Sequence, residues 1–293
     1  MGIGEVRGKE IGEARGETMT SDAKTHPQNP GVGRQTRGED PPSKTEGGAP
    51  GIVVRKCAAL KEYDGCVRLQ REIWGEADLE VEPVTMFVVA SITGGQVLGA
   101  FDGERLVGYT LAVVGLREHV TYLHSHQTGV CAEYRDRGVG RMLKLFQREE
   151  ALGRGIRLIE WTFDPLELKN AHFNLNRLGA ICRRYIKDLY GVTTSPLHRG
   201  IPTDRLVAEW RLDSQRVVAA IQDLASVAAD APAAIEVPAA LEEWKQSDSQ
   251  KVASVQARLR EEFTNWFARG YAAVGMRASA TSTAYLLAPR SDF

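Results

Sequence analysis

The sequence predicts an α/β chain of the α+β kind: a central mixed, mostly antiparallel sheet flanked by helices, followed by a C-terminal α+β extension. Three observations predict it. From Ile52 the apolar pattern breaks into short alternating elements. Asp102-Gly103, a strong hairpin signal, sits between two apolar runs. Strand-like and helix-like segments then alternate as far as Leu212.

Taken in order, residues 1–50 hold ten glycines, five prolines and no aromatic residue, too little apolar surface to offset the entropy of ordering, so a disordered tail is expected. Met19 lies within it and is expected as an alternative start of translation. "IVVRKC" reads as a strand and Leu60 to Trp74 as a helix, with Tyr63, Val67, Leu69, Ile73 and Trp74 near helical spacing. "WGEADLEVEP" is an acidic loop. "VTMFVVASI" is a buried strand or a short buried helix, since periodicity does not separate the two. Two strands about Asp102-Gly103 follow, then a strand over "TYLHSHQTGV", an Arg/Gly turn and a helix. "IRLIEWTF" is a strand, "PLELKNAHFNLNRLG" a helix closed by Gly179, and "ICRRYIKDLYG" and "RLVAEWRL" two more strands. Beyond Leu212, "SQRVVAAIQDLASVAADAPAA" reads as a helix running into an Ala/Pro linker. Val252, Val255, Leu259, Phe263, Trp266 and Phe267 recur at steps of three and four, an amphipathic helix expected to pack on the main domain or on a second protomer of a homodimer. "YAAVGM" and "AYLLA" read as closing strands.

The charge balance, 37 basic against 38 acidic residues for a net −1, gives no field that would draw nucleic acid or an anionic membrane. Any anion site must be local. Cys57, Cys66, Cys131 and Cys182 lack C-x-x-C spacing, which points to reduced thiols, no disulfide framework and no metal site. No apolar stretch reaches the roughly 20 residues a membrane span needs, and a cytoplasmic protein is expected.

The turn "YRDRGVGRML" has the spacing Arg135-x-x-Gly138-x-Gly140 before a helix whose apolar positions include Met142, Leu143, Leu145 and Phe146. Glycines there let the backbone approach a ligand, the first N–H groups of the helix are unpaired, and Arg135, Arg137 and Arg141 add charge, so a diphosphate fits. The bland alternative is a strand-to-helix turn with salt-bridged surface arginines. No Gly-Lys-Ser/Thr ending is present, which excludes the Walker loop, and the third glycine of the dinucleotide fingerprint is missing.

With the element order β-α-α-β-β-β-α-β-α-β-β over residues 52–212, this R-x-x-G-x-G loop resembles the pyrophosphate loop of the GNAT superfamily of acyl-CoA-dependent N-acyltransferases. "LHSHQTGV", "EWTFDPLELKNAHFNLNRLGA" and "GIPTDRLVAEW" are similar to an uncharacterised bacterial branch of it. The resemblance implies a GNAT-like domain over 51–212, with 213–293 as an added extension. It implies acetyl-CoA or another acyl-CoA as co-substrate and a small-molecule amine as acceptor. Backbone groups of Val130, Cys131 and Ala132 would bond the pantetheine and polarise the thioester carbonyl, the backbone of Arg137, Gly138, Val139, Gly140 and Arg141 would hold the pyrophosphate, and Asn170 would bond the CoA arm.

An amine attacking a thioester must lose a proton, and the departing thiolate must gain one. His124 and His126, two apart on a strand, share a face, and arylalkylamine N-acetyltransferases of the same superfamily carry a His-x-His pair at this offset. The resemblance marks the pair as base and relay; against it, a strand histidine can simply bond a core carbonyl or carboxylate. Many members carry a tyrosine four residues before the glycine that closes the fourth helix, where this sequence has Leu175. Tyr185, Tyr190 or a water is the expected substitute. Glu160 and Asp164 are either a second base or salt-bridged, and Cys131 and Cys182 are expected to pack.

Acidic residues Glu76, Asp78, Glu80 and Glu82 on one expected acceptor loop, and Arg183, Arg184, Lys187, Arg199 and Arg205 on the other, would match an amino acid. Two other classes stay open: a non-catalytic CoA-binding module and a dimeric scaffold.

Overall fold

Ile52 and Val54 turn inward while Val53 and Arg55 face out, the alternation of a half-buried strand, and β1 (Ile52–Lys56) lies at one edge of the sheet. The computed structural model describes residues 51–75, 80–191, 201–223, 231–279 and 282–292. The 1–50 tail, Met19, Glu76, Asp78 and Arg199 lie outside the described residues.

Helix α1 (Leu60–Trp74) starts where the Glu62 carboxylate accepts from the Ala58 and Ala59 N–H groups, at 2.7 and 3.2 Å, and stops at Gly75. The run that periodicity left open is helix α2 (Val84–Ile92): Pro83 starts it, Phe87 and Ala90 are buried, and Val89 and Ile92 stay exposed. Strands β2 (Gln96–Asp102) and β3 (Arg105–Arg117) are joined through Gly103-Glu104, with Gly103 at φ +57. A left-handed first position there is what glycine supplies. β4 (Val120–Val130), a short 3₁₀ turn at Ala132–Tyr134, α3 (Val139–Gly153) and β5 (Leu158–Phe163) complete the Arg/Gly unit.

The predicted continuous helix before Gly179 is instead two pieces. α4 (Leu168–His172) runs into a π turn at Phe173–Arg177, a single-turn widening found mostly at functional or strained places. β6 (Ile181–Ile186) and β7 (Arg205–Arg211) follow.

After Leu212 the predicted helix is short, α5 (Gln215–Ile221); residues 224–230 of the expected Ala/Pro linker lie outside the described residues, and its last two, Ala233 and Ala234, open strand β8 (Ala233–Pro238). Ile235 and Val237 point inward and the strand pairs with β10, a long-range contact that the Ala/Pro composition hides. α6 (Leu241–Ser247), α7 (Ser249–Ala268), β9 (Tyr271–Ala278) and β10 (Ser282–Pro289) end the chain. α7 buries Val252, Val255, Leu259, Phe263 and Phe267 in its own chain's core, and Trp266 meets Tyr271 edge-on at 4.8 Å.

Among the described residues one ten-stranded sheet runs β1-β2-β3-β4-β5-β7-β6-β9-β10-β8. All its pairings are antiparallel except β4 with β5, whose contact is limited to Leu123 opposite Ile159 and His124 opposite Glu160. Beyond those pairs β4 continues to Val130 and β5 to Phe163 without a common ladder, so the sheet forks there. Separate apolar cores sit on either side of this break: α1, α2 and the start of α3 pack with β1 to β3, while α4 and α7 pack with β5 to β10.

Candidate active site

A bulge shapes the wall of the fork. Ser125 pairs with Ala112 and Gln127 with Leu111, leaving His126 as the extra residue between them. The strand therefore changes parity. Before the bulge, Ser125 faces α3, where its Oγ meets Lys144 and Gln147. At and after it, His126 and Gln127 both reach the α1–α2 side.

Here the two histidines come together, with ring centroids 6.3 Å apart. His126 Nε2 is 2.9 Å from Glu82 Oε1. Glu82 is itself pinned by Gln70, which accepts from its N–H at 2.8 Å and donates to its carbonyl at 3.0 Å. Gln127 joins the same network, accepting from Tyr109 Oη at 2.7 Å and donating to Gln70 at 3.2 Å. A fixed carboxylate beside an imidazole sets its orientation. Burial, and after it the neighbouring His126, lowers the pKa of His124, with Glu160 pulling the other way. His124 is thus held toward its neutral form at physiological pH.

At the far end of β4, Arg135-Asp136-Arg137-Gly138 turns the chain, with Asp136 at φ +57 and Gly138 at φ +82. Gly138 is the N-cap of α3, and the first helical bond runs from the Met142 N–H to its carbonyl at 3.0 Å. The N–H groups of Val139, Gly140 and Arg141 precede that bond and point along the helix axis, carrying its positive end. Arg135 and Arg137 are exposed at this mouth, anchored to the carbonyls of Val130 and Glu133 at 3.2 and 3.4 Å. A Cβ at Gly140 would meet only Val130 Cγ2, at 3.9 Å.

Three predicted contributors stand elsewhere. The Arg141 guanidinium turns to α5, bonding the Ile221 carbonyl and lying 4.0 Å from Asp223, so only its backbone belongs to the loop. Tyr185 lies on β6, which β7 and β5 separate from β4. Its hydroxyl donates to Asp204 at 2.6 Å, its ring stacks on Phe263, and burial followed by Asp204 raises its pKa far above the ordinary phenol value. A phenol so placed does not reach the histidines. Cys131 spends its N–H on the Val107 carbonyl at 2.9 Å, and its thiol is pushed up to about 11 by burial and then Glu72, so it packs as a protonated thiol. Val130 and Ala132 flank it at the end of the strand, and Asn170 is exposed in the first turn of α4.

Glu160 is an ion-pair hub. Burial works to raise its carboxyl, but Arg117, at 2.8 and 2.7 Å, and Arg184, at 2.7 Å, hold it below the ordinary range. Arg183 pairs with Glu209 and Arg184 with Glu160, so two residues of the expected basic acceptor wall are ion-paired.

Lys144 escaped sequence reasoning. It lies 4% exposed between Ser125 Oγ at 2.8 Å, Gln147 Oε1 at 3.0 Å and the Trp161 ring at 4.1 Å. No sequence signal marks it: a lysine inside the apolar stripe of α3 becomes enclosed only once β4 and β5 are placed beneath it.

No protein-family model and no curated protein matches the sequence. Among solved structures the chain is similar to the ribosomal-protein-S18-alanine N-acetyltransferase from Escherichia coli, at 12% identity over 56% of this chain and 95% of that one, TM-score 0.43. It is also similar to Arabidopsis thaliana NAA60 in complex with acetyl-CoA, at 16% identity over 55% and 99%, TM-score 0.45. A third is an acetyltransferase of the GNAT family from Streptococcus pneumoniae, at 16% identity over 54% and 98%, TM-score 0.43.

Proposed function

We propose that this chain is an acyl-CoA-dependent N-acyltransferase of the GNAT superfamily, moving an acetyl or other short acyl group from CoA to a small amine. The fork between β4 and β5 carries the reading, because it joins an anion-ready helix start beyond one end of β4 to a histidine pair at the middle of the same strand. Unpaired N–H groups, two glycines and the exposed Arg135 and Arg137 fit a diphosphate. Val130 lies four steps beyond His126, about 13 Å at strand rise, a length suited to an extended pantetheine arm. The arm would run past Val130 and Ala132, with Asn170 on its other flank, and the thioester would reach the bulge.

When bound, the acyl-CoA supplies an activated carbonyl and a good leaving group. The chain's own residues do the rest. His124, held toward its neutral form by burial, takes the proton of the incoming amine, and His126, oriented by Glu82, passes it on. Glu82, held by Gln70, keeps His126 on the side opposite α3, so amine and donor approach from different faces.

Titration calorimetry with acetyl-CoA tests the donor site. Gly140→Glu is the blocking variant: its Cβ finds ordinary contact, and a carboxylate in the first helical turn favours α3 by about 0.3–1 kcal/mol while repelling a diphosphate. Binding by the wild type that falls at least a hundredfold in the variant is expected; equal binding by both sinks the donor site. In an amine screen following free thiol, His124→Ala and His126→Ala should lower kcat about a hundredfold with acetyl-CoA affinity within threefold.

One observation favours a second reading, a CoA-binding module without turnover. Leu175 stands at the usual tyrosine position, fully buried in the core, and Tyr185 is held by Asp204. Intact CoA binding with no thiol release across the amine panel would select it.

A further inference from the structure

Lys144 is a buried cation at the vertex of the fork. The last shared pairs of β4 and β5 are Leu123 with Ile159 and His124 with Glu160. The next residue of each strand, Ser125 and Trp161, touches the lysine, through Oγ at 2.8 Å and the indole ring at 4.1 Å. Gln147, one turn on along α3, accepts at 3.0 Å. All three neighbours are neutral. Among the described residues no carboxylate pairs with the ammonium, and burial alone pushes its pKa down to about 7. An uncompensated charge in an apolar setting is expensive, and the neutral Ser125, Gln147 and Trp161 that surround it supply no counter-charge.

Its position says what would compensate it. Lys144 follows Gly140 by one helical turn and lies on the α3 side of β4, the side of the diphosphate loop. The histidines and Glu82 lie on the other side, where the amine enters. Ser125 directly precedes the bulge residue and touches Lys144, so an acyl chain whose carbonyl sat at the bulge and whose tail entered the α3 side would meet this cluster first. We propose that Lys144, with Ser125 and Gln147, binds a carboxylate at the far end of the transferred acyl group, which makes the preferred donor a dicarboxylic monoacyl-CoA of the succinyl class. This rests on the acyl-CoA reading above. The carboxylate pairs with the ammonium, the Ser125 hydroxyl can donate to it, and a plain acetyl group leaves the charge without a partner.

The same carboxylate chemistry could be carried by the acceptor, so the test has two arms. In the first, succinyl-CoA, acetyl-CoA and CoA are titrated into the wild type and Lys144→Met without acceptor. In the second, an amino acid and its decarboxylated amine are compared with acetyl-CoA as donor. We expect the wild type to bind succinyl-CoA at least tenfold tighter than acetyl-CoA, and Lys144→Met to bring the two within twofold, with no Lys144-dependent preference in the acceptor arm. A wild-type measurement backs the variant: succinyl-CoA binding at pH 8, compared in buffers of different ionisation enthalpy, should take up about one proton per site as the amine becomes charged, and acetyl-CoA binding should not. Equal affinity for the two donors, or a Lys144-dependent preference confined to the amino acid, overturns the assignment. Failure of every CoA species to bind would instead overturn the donor site itself.

Discussion

Replacing Lys144 by methionine should stabilise the protein, and by an amount that depends on pH in a predictable direction. The amine is wholly enclosed, with its pKa pushed from the ordinary 10.5 down to about 7 by burial. Below pH 7 it is charged in both folded and unfolded chains, and the folded state bears the full desolvation cost. Between pH 7 and 10.5 the unfolded chain holds a proton that the folded chain lacks, so wild-type stability gains with pH across this window. At about 1.4 kcal/mol per pH unit the whole span is worth about 5 kcal/mol. Lys144→Met removes this dependence and also two hydrogen bonds, to Ser125 and Gln147, whose loss is a smaller offset of about 1–2 kcal/mol in total. The assay is urea unfolding of both proteins at pH 6, 7.5 and 9. The stability of the variant minus that of the wild type should be positive at pH 6 and fall by about 2–4 kcal/mol on reaching pH 9. A difference that stays flat across the three pH values would refute the reasoning, since the lysine would then not titrate in the fold near pH 7.

Two further substitutions probe the residues around the fork. Glu160→Ala leaves Arg117 and Arg184 without their shared partner; both are about two-fifths exposed and regain water, so a loss of about 2 kcal/mol is expected by thermal unfolding. Because the Glu160 pKa is lowered, its contribution is present above pH 4.5 and disappears as pH falls through its folded value, so wild type and variant should converge in acid. Tyr185→Phe removes one hydrogen bond to Asp204, which Arg260 continues to hold at 2.8 and 3.1 Å. A cost of about 1–2 kcal/mol in chemical unfolding is expected, with turnover unchanged; a large loss of kcat at full stability would return the phenol to the chemistry.

Much of the fold was legible along the chain because its signals are local. Leu60 to Gly75 carries its apolar stripe and its glycine stop within sixteen residues, and the Asp102-Gly103 signal lies between its own two strands. The Arg135-x-x-Gly138-x-Gly140 spacing announces a tight turn before a helix for the same reason. The chain also shows that His124 and His126 share a face, since that depends only on strand pleat.

What the chain could not show depends on which strands meet. β8 was hidden because its pairing partner, β10, lies almost fifty residues on, and no local periodicity in an Ala/Pro-rich run records a distant ladder. Tyr185 looked available for proton transfer until β7 was inserted between β5 and β6. Glu82 looked like one acid among several until Gln70 pinned it against His126. Lys144 carried no signal along the chain, and only the parallel contact of β4 with β5, ending at His124 and Glu160, accounts for its enclosure. Sequence alone therefore determined the elements, the turn and the histidine spacing, whose causes are backbone sterics and short-range periodicity. Tertiary structure decided the fork, the bulge and the burial of one charge, because desolvation depends on every group packed around an atom and not on its neighbours in sequence.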